Sequence, residues 1–443
     1  MPTSITQDYL SRYGAAAADD PGLLPVTGAQ RRFLLTGPAD GTGRRALLPL
    51  YFEFPRGTVD PVRLRAAAAY LAAAHPALRA RFDIVNAVAR QRMAAPTGEV
   101  RTITTRTGET ATEAMHRVLR TWPPHGPALR LFVISDGGER DLLAIVVDHA
   151  ACDEQSLAVL SAGLQQAYRE RKNAESALDE PGVATVEDYR DAVHQQLTAE
   201  LRASSAADMT YWSGRLAGLR PFRPRGPVAG AATPGHEPTG LLRCRLAAPA
   251  EHARPLLFPA LLNAVAAAVR PGGVDAPVLV GYPWGGRPLG TAPVLGCFLN
   301  TVPFPVRRTD DVGQTNSAWW DDLDHVDTPV DEILRAARAR GVLSANTFDG
   351  LLTWEDLARR PPLTFAGQQG TEVHLPGPAL PAPFVVSVSH GVDLLVHLAW
   401  HRTEVTDDVA RDAFETLGAA LKALLGRPTA GERGTDSPAI PDG

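Results

Sequence analysis

The run Asp141-Leu142-Leu143-Ala144-Ile145-Val146-Val147 is apolar at every position after its first, and it stops at Asp148-His149. A strand with apolar side chains in both directions must be covered on both faces, which points to a sheet inside a layered α/β protein. The segment from Asp153 to Arg171 (DEQSLAVLSAGLQQAYRER) then has helical spacing, with Asp153 at the N-cap and Glu154 in the first turn. Ends of buried strands are where α/β proteins usually carry reactive groups. The short polar bridge between strand and helix is therefore the first place to look for chemistry.

The rest of the chain is mixed helix and strand. Residues 60–81 read as a helix capped by Asp60 with Pro61 in its first turn, and 129–135 as a strand closed by the turn Asp136-Gly137-Gly138. Residues 186–218 read as helices ending at Tyr211-Trp212, and 220–240 is a Pro/Gly-rich connection. Beyond it come a strand at 241–247, a helix at 256–269, a strand at 277–282, two strands across 384–401 turning at His390-Gly391, and a helix at 406–425. With 443 residues, more than one folding unit is expected. The division expected is a first unit at 1–185, a linker and second unit at 186–425, and a disordered polar tail at 426–443.

Composition narrows the function. A net charge of −5 provides no basic field for nucleic acid or anionic lipid. Three scattered cysteines (Cys152, Cys244, Cys297) suit neither a disulfide framework nor a zinc site. No signal peptide or membrane-spanning run is evident, so a cytoplasmic protein is expected. Nucleophile-elbow, Walker and dinucleotide-binding motifs are missing from the sequence.

Within Asp148-His149-Ala150-Ala151-Cys152-Asp153-Glu154, an imidazole at the strand end can orient or deprotonate an amine or alcohol near neutral pH. Asp153 can fix the loop by pairing with a cation. Taken alone, the segment equally describes a capped helix beside a hydrogen-bonded histidine. Cys152 at a helix start suggests a nucleophile, but a small buried filler is the plainer reading. Asp148, His149 and Asp153 lack the further ligands that a catalytic metal needs, so no metal is expected.

Several further segments stand out along the chain. They are Thr27-Gly28-Ala29-Gln30 with Phe33, the run from Ala74-His75-Pro76 to Arg81-Phe82, the central DHAACDE, and Tyr211-Trp212. After these come Gly281-Tyr282-Pro283-Trp284-Gly285-Gly286-Arg287-Pro288, the run Gly296-Cys297-Phe298-Leu299-Asn300-Thr301-Val302-Pro303, and HVDTPVDEIL from His325 to Leu334. Together they resemble the condensation domain of nonribosomal peptide synthetases, within the chloramphenicol-acetyltransferase-like superfamily. The resemblance implies an α/β fold of two acetyltransferase-like lobes in a V-shaped pseudo-dimer with a central tunnel. It also implies a single unit that receives its substrates from elsewhere, here a free-standing monomer of secondary metabolism such as antibiotic biosynthesis. By resemblance His149 is catalytic, Asp153 and Arg287 pair to support it, and Asp148, Glu154, Ser156, Trp284, Asn300 and Thr353 border the tunnel. No cofactor is implied beyond the 4'-phosphopantetheine of a separate acyl or peptidyl carrier protein, which delivers the donor.

Two positions depart from the family signature: Asp148 replaces its first histidine and Glu154 its final glycine. The glutamate adds bulk and charge where the acceptor arm passes, which suits either a small free amine or alcohol acceptor or a silent relative that only recruits partners. Asp148, Asp153 and Ser156 also fit the Asp-x-x-x-x-Asp-x-x-Ser pattern of heterocyclization domains. Their second-lobe aspartate has no counterpart near Ser387 and Ser389, and Thr353 is the candidate for their threonine. Plain amide or ester formation is the leading expectation, with the silent and cyclodehydrating readings behind it.

Overall fold

The computed structural model describes residues 3–39, 46–119, 121, 126–178, 180–219, 239–247, 257–270, 276–288, 290, 293–341, 348–357, 360, 362–375 and 380–425. Its first half runs α1 (Ile5–Ala18), α2 (Gly28–Ala39), β1 (Leu47–Pro55), α3 (Pro61–Ala74), β2 (Ala80–Val85), β3 (Val88–Met93) and β4 (Glu99–Thr104). It continues with α4 (Ala111–Leu119), β5 (Leu129–Ser135), β6 (Arg140–Asp148), α5 (Glu154–Glu170) and α6 (Val186–Arg202). The second half begins with α7 (Ala206–Arg215), β7 (Thr239–Ala247), α8 (Leu257–Val269), β8 (Val278–Gly285), β9 (Leu299–Val306), α9 (Val312–Leu323), α10 (Val330–Ala339) and β10 (Gly350–Asp356). An arm of short strands follows, β11 (Thr364–Phe365), β12 (Gln368–Gln369) and β13 (Thr371–Val373), and then β14 (Phe384–His390), β15 (Asp393–His401) and α11 (Asp407–Leu425).

Two sheets organise these elements. One is five-stranded in the order β13-β1-β6-β5-β4, the other six-stranded in the order β7-β15-β14-β10-β8-β9. The apolar run singled out above is β6, at the centre of the first sheet. Leu143, Ile145 and Val147 enter the core shared with α3 and α5, while Leu142, Ala144 and Val146 enter the opposite core under α4. Burial of each such side chain stabilises by roughly 1.5–3 kcal/mol, so the run can sit only in a covered sheet. The second sheet packs one face against α8 and α11 around Val280, Leu352, Val386, Val396 and Leu398.

The helix expected over 60–81 is shorter than its apolar pattern. Asp60 caps it by accepting from the backbone N–H groups of Val62 and Arg63, but it ends at Ala74. Pro76 disfavours helical geometry at His75, and after a 3-10 turn over Pro76–Arg79 the chain enters β2. The side chains of Tyr189, Ala192, Val193 and Leu197 on α6 lie in the first core, so we place the division between lobes after α6 rather than at residue 185. The expected linker falls almost wholly on 220–238, and the expected tail on 426–443; both lie outside the described residues. Among the described residues, no helix is long and apolar enough to cross a membrane.

Candidate active site

His149 stands one residue past the end of β6. Its backbone N–H donates to the Ala46 carbonyl beside β1, and Asp148 Oδ1 accepts from the Ala150 N–H at 3.0 Å, so the turn out of the strand is fixed from both sides. The ring is held twice. Nδ1 lies 3.0 Å from the Cys152 carbonyl oxygen, and the Phe33 ring stacks on the imidazole at 4.0 Å and 19°. A carbonyl can only accept, so Nδ1 carries the proton and Nε2 keeps its lone pair. Burial lowers the pKa of His149, with Arg32 acting the same way and the carbonyl contact and Asp153 opposing it. The result is a partly exposed, oriented, neutral base whose Nε2 has no protein partner among the described residues.

Asp153 ties the two halves of the chain together. It is the N-cap of α5, and its Oδ1 accepts from Ser156 N–H at 3.0 Å, Ser156 Oγ at 2.7 Å and Arg287 Nη2 at 3.1 Å. Its Oδ2 accepts from the Phe298 N–H at 3.1 Å. Arg287, which follows β8, also reaches Ser156 Oγ at 2.9 Å and Gln155 Oε1 at 2.7 Å, and lies over the Phe298 ring at 4.9 Å. This is the pair expected from the sequence, and Ser156 belongs to it. Asp148 and Ser156, at 3% and 1% exposure, are too enclosed to wall an open passage. They are supports of the loop, a correction to the tunnel-lining expectation. Cys152 is wholly buried and its thiol is pushed well above the ordinary range, mainly by burial, so it is a filler and not a nucleophile.

The other expected residues fall into three positions. Glu154 is exposed in the first turn of α5, with its carboxyl pushed up to about 8 by burial first, then by Glu355 and Asp153, against Arg360. Trp284 and Asn300, directly opposed on β8 and β9, border a cleft of about 390 Å³ that also touches Arg32 and Asp327. The Asn300 amide is already committed: Nδ2 donates to the Val326 and Thr328 carbonyls, both at 2.7 Å, and Oδ1 accepts from Val330 N–H. It therefore shapes the loop before α10 more than it offers groups to a ligand. Thr353 on β10 donates to Ser387 Oγ on β14 at 2.8 Å.

Sequence reasoning assigned no role to two residues that hold His149. Phe33 supplies the stacking surface, and Gln30 Nε2 donates to the Ala150 carbonyl at 2.7 Å and to Tyr189 OH at 3.0 Å. Both belong to the segment around Thr27-Gly28-Ala29-Gln30, whose resemblance to the opening motif of the condensation domain was the available signal. Among the described residues, no group of three or more His, Cys, Asp or Glu is arranged to hold a metal ion.

The family model described as Condensation domain matches residues 21–224, which contain Gln30, Phe33, His149 and Asp153. Residues 21–224 are thus similar to the condensation-domain family. A probable nonribosomal peptide synthetase of Salinispora arenicola, CymA, is 27% identical over 401 residues, covering 86% of this chain and 5% of that protein. The phenyloxazoline synthase MbtB of Mycolicibacterium paratuberculosis is 32% identical over 174 residues, 38% of this chain and 14% of that protein. The chain thus spans a small part of the length of either relative. In structure it is similar to the condensation domain of the monacolin K polyketide synthase MokA, with a TM-score of 0.68 at 17% identity, covering 92% of this chain and 98% of that one. At that identity the likeness establishes the fold, the chloramphenicol-acetyltransferase-like α/β architecture.

Proposed function

We propose that this chain is a condensation domain and an acyl-transfer catalyst. It joins an acyl or aminoacyl group, held as a phosphopantetheine thioester on a carrier protein, to an amine or alcohol. The observation that carries this reading is the neutral His149, with Nδ1 bound to the Cys152 carbonyl and Nε2 free. The acceptor lone pair attacks the thioester carbon, the new C–N or C–O bond forms, and the C–S bond breaks to release the carrier thiol. The acceptor's proton passes to Nε2 and then to the leaving sulfur, so the reaction closes without net proton change. Asp153 and Arg287 are positioning residues, and Glu154, Trp284 and Thr353 border the passage to His149. Holding both reactants there supplies the entropic part of the acceleration. A cytoplasmic setting suits such chemistry.

The test is product formation by the full chain with a panel of acyl-loaded carrier proteins and both carrier-bound and free amine or alcohol acceptors, read by mass spectrometry. His149→Ala should lower turnover by about 100-fold or more while carrier binding is retained. Turnover at the wild-type rate would sink the assignment. Glu154 favours a second reading, a silent module that only docks partners; binding of carriers without product from any combination would establish it. The cyclodehydrating reading draws support from the resemblance to MbtB. It is disfavoured because Asp153 and Ser156 are engaged by Arg287 and the helix cap, and because Thr353 meets a serine, not a carboxylate. A product lighter by a second water would restore it.

A further inference from the structure

The second sheet carries a polar row that acyl transfer does not use. Leu352, Val386 and Val396 point into the core, and on the other face Thr353, Ser387, His397 and Arg243 stand in register on β10, β14, β15 and β7. Thr353 and Ser387 satisfy each other, whereas the other two members of the row do not. His397 is 5% exposed, and its Nε2 is buried with no hydrogen-bond partner among the described residues. Arg243, directly across from it, has no ion-pair partner among them either. His374, just past β13, brings its ring to 4.3 Å from His397 at 52° and also lacks a hydrogen bond among the described residues.

One cation and two imidazoles therefore converge with no carboxylate among the described residues hydrogen-bonded to them. A guanidinium has five donors and no acceptor, whereas each neutral imidazole has one donor and one acceptor, so the charge of the cation is unanswered by its neighbours. Arg243 is solvated, but buried polar groups are almost always partnered, so the unpartnered Nε2 of the buried His397 marks a place for a hydrogen-bonding group. The nearby carboxylates are engaged elsewhere: Glu53 with Arg140, and Glu355 and Glu372 with Arg360. Arg243 and His374 open onto a groove of about 970 Å³, counting the solvent at its mouth, whose apolar wall is Leu142, Leu241, Val373 and Leu375.

We infer that Arg243, His374 and His397 form a binding site for an oxyanion, a phosphate or carboxylate group on a ligand with an apolar tail. Without an anion, burial and the neighbouring cations disfavour protons on the two histidines. Burial, then His374 and Arg243, lower His397 to about 4. Burial also lowers His374, with Arg360 and Arg243 acting the same way and Glu372 and Glu355 opposing. An anion between these groups reverses the balance, so binding takes up a proton and tightens as pH falls. The site is independent of the acyl-transfer reading and stands if His149 proves idle.

The experiment is proton NMR of the histidine ring resonances of the full chain at about pH 6, where unperturbed imidazoles titrate. They are assigned with His374→Gln and His397→Asn. The probes are inorganic phosphate and, separately, octanoate. A saturable shift of either resonance, a rise of at least about one unit in its apparent pKa, and a loss of affinity of about tenfold in Arg243→Gln are expected. Response to phosphate alone assigns the ligand a phosphate, response to octanoate alone a carboxylate, and response to both a general oxyanion site. Arg243 is exposed, so its replacement leaves the core intact. Unmoved histidine resonances with both probes would overturn the inference, as would full affinity in Arg243→Gln.

Discussion

Glu154 is accessible to solvent and yet has a carboxyl that resists ionisation. Solvent reaches it, while the protein around it and a second carboxylate, Glu355, disfavour its charge. The consequence for stability follows from linkage. The unfolded carboxyl titrates near 4.5 and the folded one at about 8, so between these values the native state binds more protons. Stability conferred by this site is greatest at low pH, falls as pH rises from about 4.5 to 8, and stays lost above that. Glu154→Gln should flatten this part of the profile and exceed the wild type in stability at about pH 9, as measured by urea denaturation across pH. Parallel profiles for the two proteins would show that the carboxyl is unperturbed. The proximity of Glu355 had no sequence signal, since the two residues lie in different halves of the chain. The Asp153–Arg287 pair was legible because each partner sits inside its own segment resembling a motif of the condensation domain.

At the scale of elements, burial made most of the fold readable. β5, β6, α5, α8, β14 and α11 lie within a residue or two of their expected bounds, because a face of each is apolar at the period of its structure. The exceptions have physical causes. Pro76 ends α3 inside an apolar pattern, and β11, β12 and β13 are too short to show any period. β13 is a strand because β1 accepts it as an edge partner, a property of the partner and not of its own residues. Asn300 likewise looked like a ligand-facing amide until its three backbone partners were placed. Asn300→Ala removes all three contacts at the loop before α10, and leaving a buried backbone group unsatisfied costs about 1–3 kcal/mol. Hydrogen exchange should show protection lost over residues 326–334 and retained in β6 and α5. Unchanged exchange in the loop would mean that the contacts are not limiting.

At the scale of the molecule, the second half of the chain repeatedly grips the first. Val294, Leu295 and Phe298 lie in the first core, Arg287 holds Asp153, and the arm over β11–β13 adds Leu363 and Phe365 to that core and a strand to its sheet. Phe365 packs on Tyr168 at 4.4 Å and on Phe54 at 5.5 Å, and the arm lies so near Phe54 that a Cβ on Gly370 would come within 2.5 Å of its ring. We therefore expect the lobes to unfold together, because the first core is incomplete without residues of the second half. Phe365→Ala should cost about 3–5 kcal/mol, the usual range for emptying a buried aromatic site. Its effect on the second lobe is the decisive observation. Six of the seven tryptophans lie in the second half, and Trp212, Trp284, Trp354 and Trp400 belong to its core or pack against it, so in a Trp122→Phe background tryptophan fluorescence reports that lobe while far-UV circular dichroism reports the whole chain. Coupled lobes give one urea transition, moved to lower concentration equally in both signals by Phe365→Ala. A tryptophan transition that stays in place while circular dichroism shifts or splits would show that the lobes fold independently and that the arm is a surface attachment.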